Sequence, residues 1–477
     1  MQVSPARRAA FEILHRVEAE GAYSSSLLAQ NDDRLRANDR ALAHELVLGV
    51  LRQQLWLDRS LEHFANRKVE GLDLPVVLAL RIGLYQLRFL TRVPASAAIN
   101  ESVNLVKIAR VKSAASFVNA VLRRATREPK YDPAAEAADE TERIAIENSH
   151  PRWLIERWST QFGVEEAAAI ARANNQPATL AFRFTVKALR DAAQRPETII
   201  AELKADGAEL IESEIAPDAW RVGRIDGKRE NTGREAGDPQ AKMPAIQQDA
   251  GESRQQSGMR ALQQLSADGL IYFQDEASQL VAHLVGAQAN DLVLDVCAAP
   301  GSKSTLIAAL TPQTKIVAGE LYQHRANTIK QFAQQQGANN IHVLVHDATR
   351  DLPFDGQSFD RVLVDAPCSG TGTLRHNPEI RWRLNPSEIT AMAEKQALIL
   401  KHAANAVRPG GMLSYSTCSL EQDENEAVVV NFVAENPDFK VGRFDAPRRL
   451  LTEAGTMRTW PQRDDVEGFF IAALRKN

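Results

Sequence analysis

From Leu270 onward, short apolar runs alternate with amphipathic helical segments, and few folds tolerate that order. Strand-type runs fall at Leu292–Val296, Ile316–Glu320, Ile341–Val345, Arg361–Asp365, Met412–Ser416 and Phe469–Ala473. Helical segments separate them at Ser304–Leu310, Ala326–Gln336, Ser387–Val407 and Asn425–Glu435. Strands that are apolar throughout must be covered on both faces. The pattern therefore predicts an α/β fold over residues 270–477: a doubly wound, mostly parallel, Rossmann-like sheet. The helix from Ser387 carries its own start signal, with Asn385 as cap, Pro386 in the first turn and Glu388 completing a capping box.

Ligands of such a sheet sit beyond the carboxyl ends of its strands. The first strand runs into Cys297-Ala298-Ala299-Pro300-Gly301-Ser302-Lys303, a turn of small residues that lets backbone amides meet a ligand at the positive end of the next helix. It is not G-x-G-x-x-G, which disfavours a dinucleotide gripped by its pyrophosphate. Glu320 closes the second strand, where an acid can accept both hydroxyls of a ribose. Asp347 closes the third and can accept from an exocyclic amine. Acidic strand ends around a small-residue turn suit an adenosine ligand without phosphates.

The fourth strand ends in Asp365-Ala366-Pro367-Cys368-Ser369-Gly370-Thr371-Gly372, and the fifth in Ser416-Thr417-Cys418-Ser419. Neighbouring strands would bring two thiols and a carboxylate beside the nucleoside site. One demanding reaction needs that set. Cytosine C5 is not nucleophilic, so methylating it requires prior attack at C6 by a thiolate, assisted by a carboxylic acid at N3. Cysteine suits the task because its thiolate attacks readily and also leaves again. On position alone Cys368, close to Asp365, is the obvious attacking thiol.

The rest of the chain reads differently. With 477 residues, two or three domains are expected. Residues 1–130 are patterned as an all-helical bundle and hold 20 Lys+Arg against 13 Asp+Glu, within a chain of net charge −4. A basic front on an acidic body suits an appended nucleic-acid-binding module. Residues 145–265 read as a small α+β subdomain with Trp153 and Trp158 as core anchors and a strand at 178–184. Within it, 228–258 is polar and Gly/Gln-rich and reads as a mobile insertion. Three cysteines exclude a disulfide framework and any Cys-rich metal cluster, and with no membrane-length apolar run they point to the cytoplasm.

These motifs closely resemble the NOL1/NOP2/Sun family of S-adenosylmethionine-dependent RNA 5-methylcytosine methyltransferases. Gln274-Asp275-Glu276-Ala277-Ser278-Gln279 and Glu467-Gly468-Phe469-Phe470 look like further signatures, so the likeness spans about 145–475. Asp39-Arg40-Ala41-Leu42-Ala43 and Phe117-Val118-Asn119-Ala120-Val121-Leu122-Arg123 resemble the RNA-binding NusB-like domain. That pairing is similar to the bacterial small-subunit rRNA methyltransferases of the family. The resemblance implies that Cys418 is the nucleophile, that Cys368 helps release product, and that Asp365 hydrogen-bonds the cytosine edge beside the cofactor. It places Lys303 near the methionine part and the target base. It assigns residues 297–303, Glu320, Asp347 and Asp365 to an S-adenosyl-L-methionine pocket. Ser302 stands where the family usually has Gly, which bears on cofactor affinity, and Glu467 where Asp is commoner. The substrate implied is 16S rRNA, met by a cytoplasmic monomer without metal. Arg375, His376, Arg381, Trp382 and Arg383, just past the catalytic turn, read either as groups that stack on bases and bind phosphates or as a solvated loop with Trp382 in the core. The competing readings are methylation of another RNA such as tRNA, DNA cytosine methylation, and a non-catalytic RNA-binding or ribosome-assembly protein.

Overall fold

The structure is a computed structural model that describes all residues except 1–2, 32–33, 191–194, 224–253, 355 and 445. Most of the segment expected to be a mobile insertion, 228–258, lies outside the described residues.

The chain divides into two units. The first contains Met1–Pro177 and Leu374–Arg383. At its centre is the helix Leu74–Phe89, whose middle is apolar on every side and buried from Val76 to Gln86. Helices Pro5–Glu20, Ala37–Arg52, Gln54–Ala65, Ala95–Ile108 and Ala115–Arg127 share one apolar core with it. A charge buried on this helix is paired: Arg81 meets Asp58 at 2.7 Å and Glu18 at 2.8 Å.

The segment Leu374–Arg383 is packed into this helical unit, which corrects the reading as a nucleic-acid-contacting loop. Arg375 and Arg381 are fully buried. Arg381 donates to Ser149 O (3.1 Å) and Asn175 Oδ1 (2.9 Å), and Arg375 to Pro177 O (2.7 Å). Arg383 donates to Val17, Gly21 and Ala22 carbonyls at 2.7–2.8 Å, which satisfies acceptors orphaned at the C-terminus of helix Pro5–Glu20. Trp382 Nε1 donates to Leu51 O, Glu379 accepts from Ser24 N and Oγ, and His376 is half-buried beside them. A short polar run in sequence looks like a solvated loop whether its donors face water or carbonyls, so its composition could not separate the two.

The second unit contains Ala178–Gly227, Gln248–Thr373 and Leu384–Asn477. Of the stretch read as a small α+β subdomain, 145–265, the helices Arg152–Phe162 and Val164–Asn174 lie in the first unit, with Trp158 buried and Trp153 half-buried. Its strands lie in the second. There β1 (Ala181–Phe184), β2 (Leu210–Glu212), β3 (Trp220–Val222) and β4 (Ile271–Phe273) form an antiparallel sheet in the order β2-β3-β1-β4.

The larger sheet contains β5 (Leu292–Asp295), β6 (Lys315–Glu320), β7 (Ile341–Val345), β8 (Phe359–Asp365), β9 (Val407–Thr417), β10 (Phe439–Val441), β11 (Met457–Arg458) and β12 (Phe470–Lys476). Its order is β10-β12-β9-β8-β5-β6-β7, with β11 on β12. Strands β5 to β9 pair in parallel, whereas β10, β11 and β12 join antiparallel. This is the Rossmann-like α/β sheet expected from the alternation. The capping box at Asn385 and Glu388 is formed as well. Chain order reverses between β5 and β8, so a crevice opens above those two strands.

Candidate active site

A cavity of about 240 Å³ lies above the carboxyl ends of β5, β6, β7, β8 and β9, within the second unit. Cys297, Ala299, Glu320, His346, Asp347, Asp365, Cys368 and Cys418 all line it. Residues predicted from five separate stretches therefore converge on one place. Ala298, Pro300, Gly301 and Ser302 form its supporting turn, and Gly301 takes φ +107°, which an L side chain rarely adopts. Ser302 opens the helix Ser302–Leu310, and its carbonyl accepts from buried Arg183 at 2.9 Å.

Register brings the reacting groups together. Asp365 faces Ser416 across the β8–β9 pair, and Ser416 Oγ donates to Asp365 Oδ1 at 2.8 Å. Two parallel strands ending level must turn side by side, so Cys368 Sγ and Cys418 Sγ come within 3.1 Å as free thiols. Gly372 closes the arrangement. Its N–H donates to Cys418 O (2.9 Å) and its carbonyl accepts from Gly468 N (2.9 Å). A Cβ there would overlap the Gly468 carbonyl. The closing signature Glu467-Gly468-Phe469-Phe470 thus has a packing cause in two backbones that touch.

Lys303, on the first turn of its helix, places Nζ 2.7 Å from Asp365 Oδ2 and 5.3 Å from the Phe469 ring centre. Burial opposes its charge, but Asp365 more than offsets that and holds the ammonium above its ordinary range. The Cys418 sulfur acts on Lys303 in the same direction. Behind this pair Asp295 is fully buried, and desolvation pushes its carboxyl up to about 7 despite a 2.6 Å hydrogen bond from Ser304 Oγ. The Cys297 thiol is pushed up by burial and then by Asp295, so it stays protonated, a wall of the cavity and not a nucleophile. Cys368 is also pushed well up, first by its hydrogen bond to Cys418 and then by burial.

At the other end of the cavity, Glu320 is buried, with Oε1 accepting from Tyr322 N at 3.0 Å. Asp347 accepts from Thr349 N (3.0 Å) and Oγ1 (2.7 Å), which holds its carboxyl below the usual range. Both nitrogens of His346 are buried at this wall without a hydrogen-bond partner among the described residues. Two fixed acceptors and an unsatisfied imidazole facing a cavity fit an adenosine group with its ribose hydroxyls and amine.

Sequence reasoning missed Glu424. It is fully buried and accepts from Ser369 N (2.8 Å), Ser419 Oγ (2.6 Å) and Gln396 Nε2 (2.8 Å), so it grips both cysteine-bearing turns. Arg183 escaped notice too, although its bond to Gln274 (2.8 Å) explains part of the Gln274–Gln279 signature.

The chain is similar to known proteins along its length. Residues 282–475 match the family described as 16S rRNA methyltransferase RsmB/F, residues 4–127 match the NusB family, and residues 150–224 match the ferredoxin-like domain of RsmF/B-like methyltransferases. The chain is 34% identical to a probable ribosomal RNA small subunit methyltransferase B of Bacillus subtilis, covering 100% of both chains. It is 31% identical to ribosomal RNA small subunit methyltransferase B of Sodalis glossinidius, covering 99% and 96%. The solved structure of PH0851 covers 100% of both chains, with TM-score 0.78 and 26% identity. That of NSun6 from Pyrococcus horikoshii with SFG covers 68% of this chain and 98% of its own, with TM-score 0.54 at 21% identity, a likeness of fold.

Proposed function

The chain belongs to the RsmB/F 16S rRNA methyltransferase family, and on that premise we propose that it methylates a cytosine of 16S rRNA at C5 through a covalent bond to Cys418. The observation that carries this reading is the pair of thiols 3.1 Å apart with different surroundings: Cys418 beside Lys303, Cys368 beside buried Glu424.

S-adenosyl-L-methionine supplies an electrophilic methyl group when bound, and Glu320, Asp347 and the turn 297–301 would hold its adenosine end. The remaining work falls to the protein. A base in a helical stack is out of reach, so the target cytosine must be unpaired or flipped into the cavity. Asp365 accepts from its exocyclic amine, and the Lys303 ammonium paired with Asp365 supplies the proton that N3 needs as charge develops there. Cys418 forms its S–C6 bond and turns C5 into an enamine carbon. After C5 gains the methyl group, Cys368 draws off the C5 proton, the ring electrons return, and the S–C6 bond breaks to free Cys418. The basic helical unit adds salt-dependent contacts to the RNA backbone.

Methyl transfer from radiolabelled cofactor to 16S rRNA, tRNA and DNA tests the reading. Cys418→Ser should abolish transfer to rRNA, and Cys368→Ala should accumulate an enzyme–RNA adduct that survives a denaturing gel. Undiminished transfer by Cys418→Ser would overturn the nucleophile. Transfer to tRNA or DNA in preference to 16S rRNA would overturn the substrate, and tight RNA binding without transfer would favour an assembly role.

A further inference from the structure

Two identical functional groups 3.1 Å apart need something to make them unequal. The asymmetry traces to Glu424, in the single turn Gln422–Glu424 behind the site. Its carboxylate bonds the residue that follows each cysteine: Ser369 through N (2.8 Å) and Oγ, and Ser419 through Oγ (2.6 Å). Gln396 Nε2 reaches its other face at 2.8 Å and also donates to Pro367 O at 2.9 Å. These partners are all neutral: two hydroxyls, a backbone amide and a side-chain amide. Among the described residues no cation pairs with it. A negative charge is thus walled in on the Cys368 side of the pair, where low dielectric gives it reach.

The groups facing Cys368 are Cys418 and Tyr415 from β9, Glu424 from the turn after it, Asp365 at the end of its own strand, and Lys395 from helix Pro386–Ala406 across the cavity. Glu424 opposes ionisation of Cys368, whereas Cys418 is coupled to the Lys303 ammonium. We propose that Glu424 is the positioning residue that divides labour between the thiols: it holds both turns in register and sets a buried anion behind Cys368, so that Cys418 carries the attacking charge and Cys368 keeps its proton until Cys418 is bonded to C6. The assignment rests on the thiol roles proposed above.

Competitive alkylation tests it without RNA or cofactor, so its failure is a separate result from failed methyl transfer. The full-length protein is treated with limiting iodoacetamide across neutral to mildly alkaline pH, and each cysteine is followed by peptide mass spectrometry. In the unaltered protein Cys418 should be modified about tenfold faster than Cys368, with the Cys368 rate rising only at higher pH. E424Q keeps the volume but removes the charge, and the ratio should fall by about fivefold or more. E424D, which keeps the charge, should restore most of it. A purely structural role predicts equal loss in both variants, and that result overturns the proposal. So does a Cys368 that reacts first or at an equal rate in the unaltered protein. Circular dichroism checks folding. If E424Q fails to fold, Gln396→Lys decides the matter by setting an ammonium against the intact carboxylate: a smaller ratio supports the role and an unchanged ratio rejects it.

Discussion

Asp295 gives the sharpest energetic test of the site. It ends β5, is fully buried, and has one carboxylate oxygen bonded to Ser304, with the backbone of Cys297 as its other hydrogen-bonding neighbour. Its carboxyl sits at about 7 in the fold against 3.8 for an ordinary aspartate. A folded-state value above the unfolded one means that the native protein binds the extra proton. This group's stability contribution is therefore complete below about pH 4 and is lost as pH rises to about 7. Ionised, Asp295 costs the fold about 4 kcal/mol relative to its neutral form. Asp295→Asn abolishes that titration and keeps the acceptor for Ser304, but it leaves a buried amide donor unpaired at a cost of about 1–3 kcal/mol. The two effects cross. At about pH 8.5 the variant should be more stable by about 1–3 kcal/mol, and at about pH 3.5, where Asp295 is neutral in both states, less stable by a similar amount. Urea unfolding of the cofactor-free protein at several pH values, followed by circular dichroism and fluorescence, measures the difference. A stability difference that stays constant with pH would refute the buried, protonated acid.

Other perturbations have definite outcomes. Gly372→Ala drives a methyl group into the Gly468 carbonyl and to 2.9 Å from Cys418 O. It should cost about 2–4 kcal/mol in urea unfolding and lower methyl transfer about a hundredfold, because the Cys418 turn must move. Arg81→Met strands buried Asp58 without its two bonds and should destabilise the helical unit by about 3–5 kcal/mol, read from thermal melts. Glu320→Ala should weaken binding of a cofactor analogue about tenfold or more in calorimetry, with RNA binding unchanged.

The parts of this protein that were legible in sequence are those where period and punctuation agree. β5 through β9 have apolar runs bounded by turn residues, and helix Pro386–Ala406 has its cap, proline and capping-box glutamate in order. That the candidate site residues would gather in one place was legible because each lies at or just past a strand end, and strand ends in a parallel sheet gather on one side. Partnership was not legible. Glu424 lies in Glu421-Gln422-Asp423-Glu424, which reads as a solvated acidic turn, yet the hydroxyl of nearby Ser419 and, from distant segments, Ser369 and the Gln396 amide bury it. Arg375 and Arg381 fail for the same reason: an arginine that donates to carbonyls and one that awaits phosphate look identical until the chain is folded. β10 and β11 are three and two residues long, too short for a period to register.

The central claim is attack by Cys418, and an arrested reaction tests it most directly. A 16S rRNA fragment carrying 5-fluorocytidine cannot release its C5 substituent as a proton, so turnover should stop with the base still bonded to the protein. Digestion and mass spectrometry of that adduct should place the nucleotide on Cys418. A nucleotide on Cys368, or methylation of the normal RNA with no adduct formed on the fluorinated one, would contradict the account.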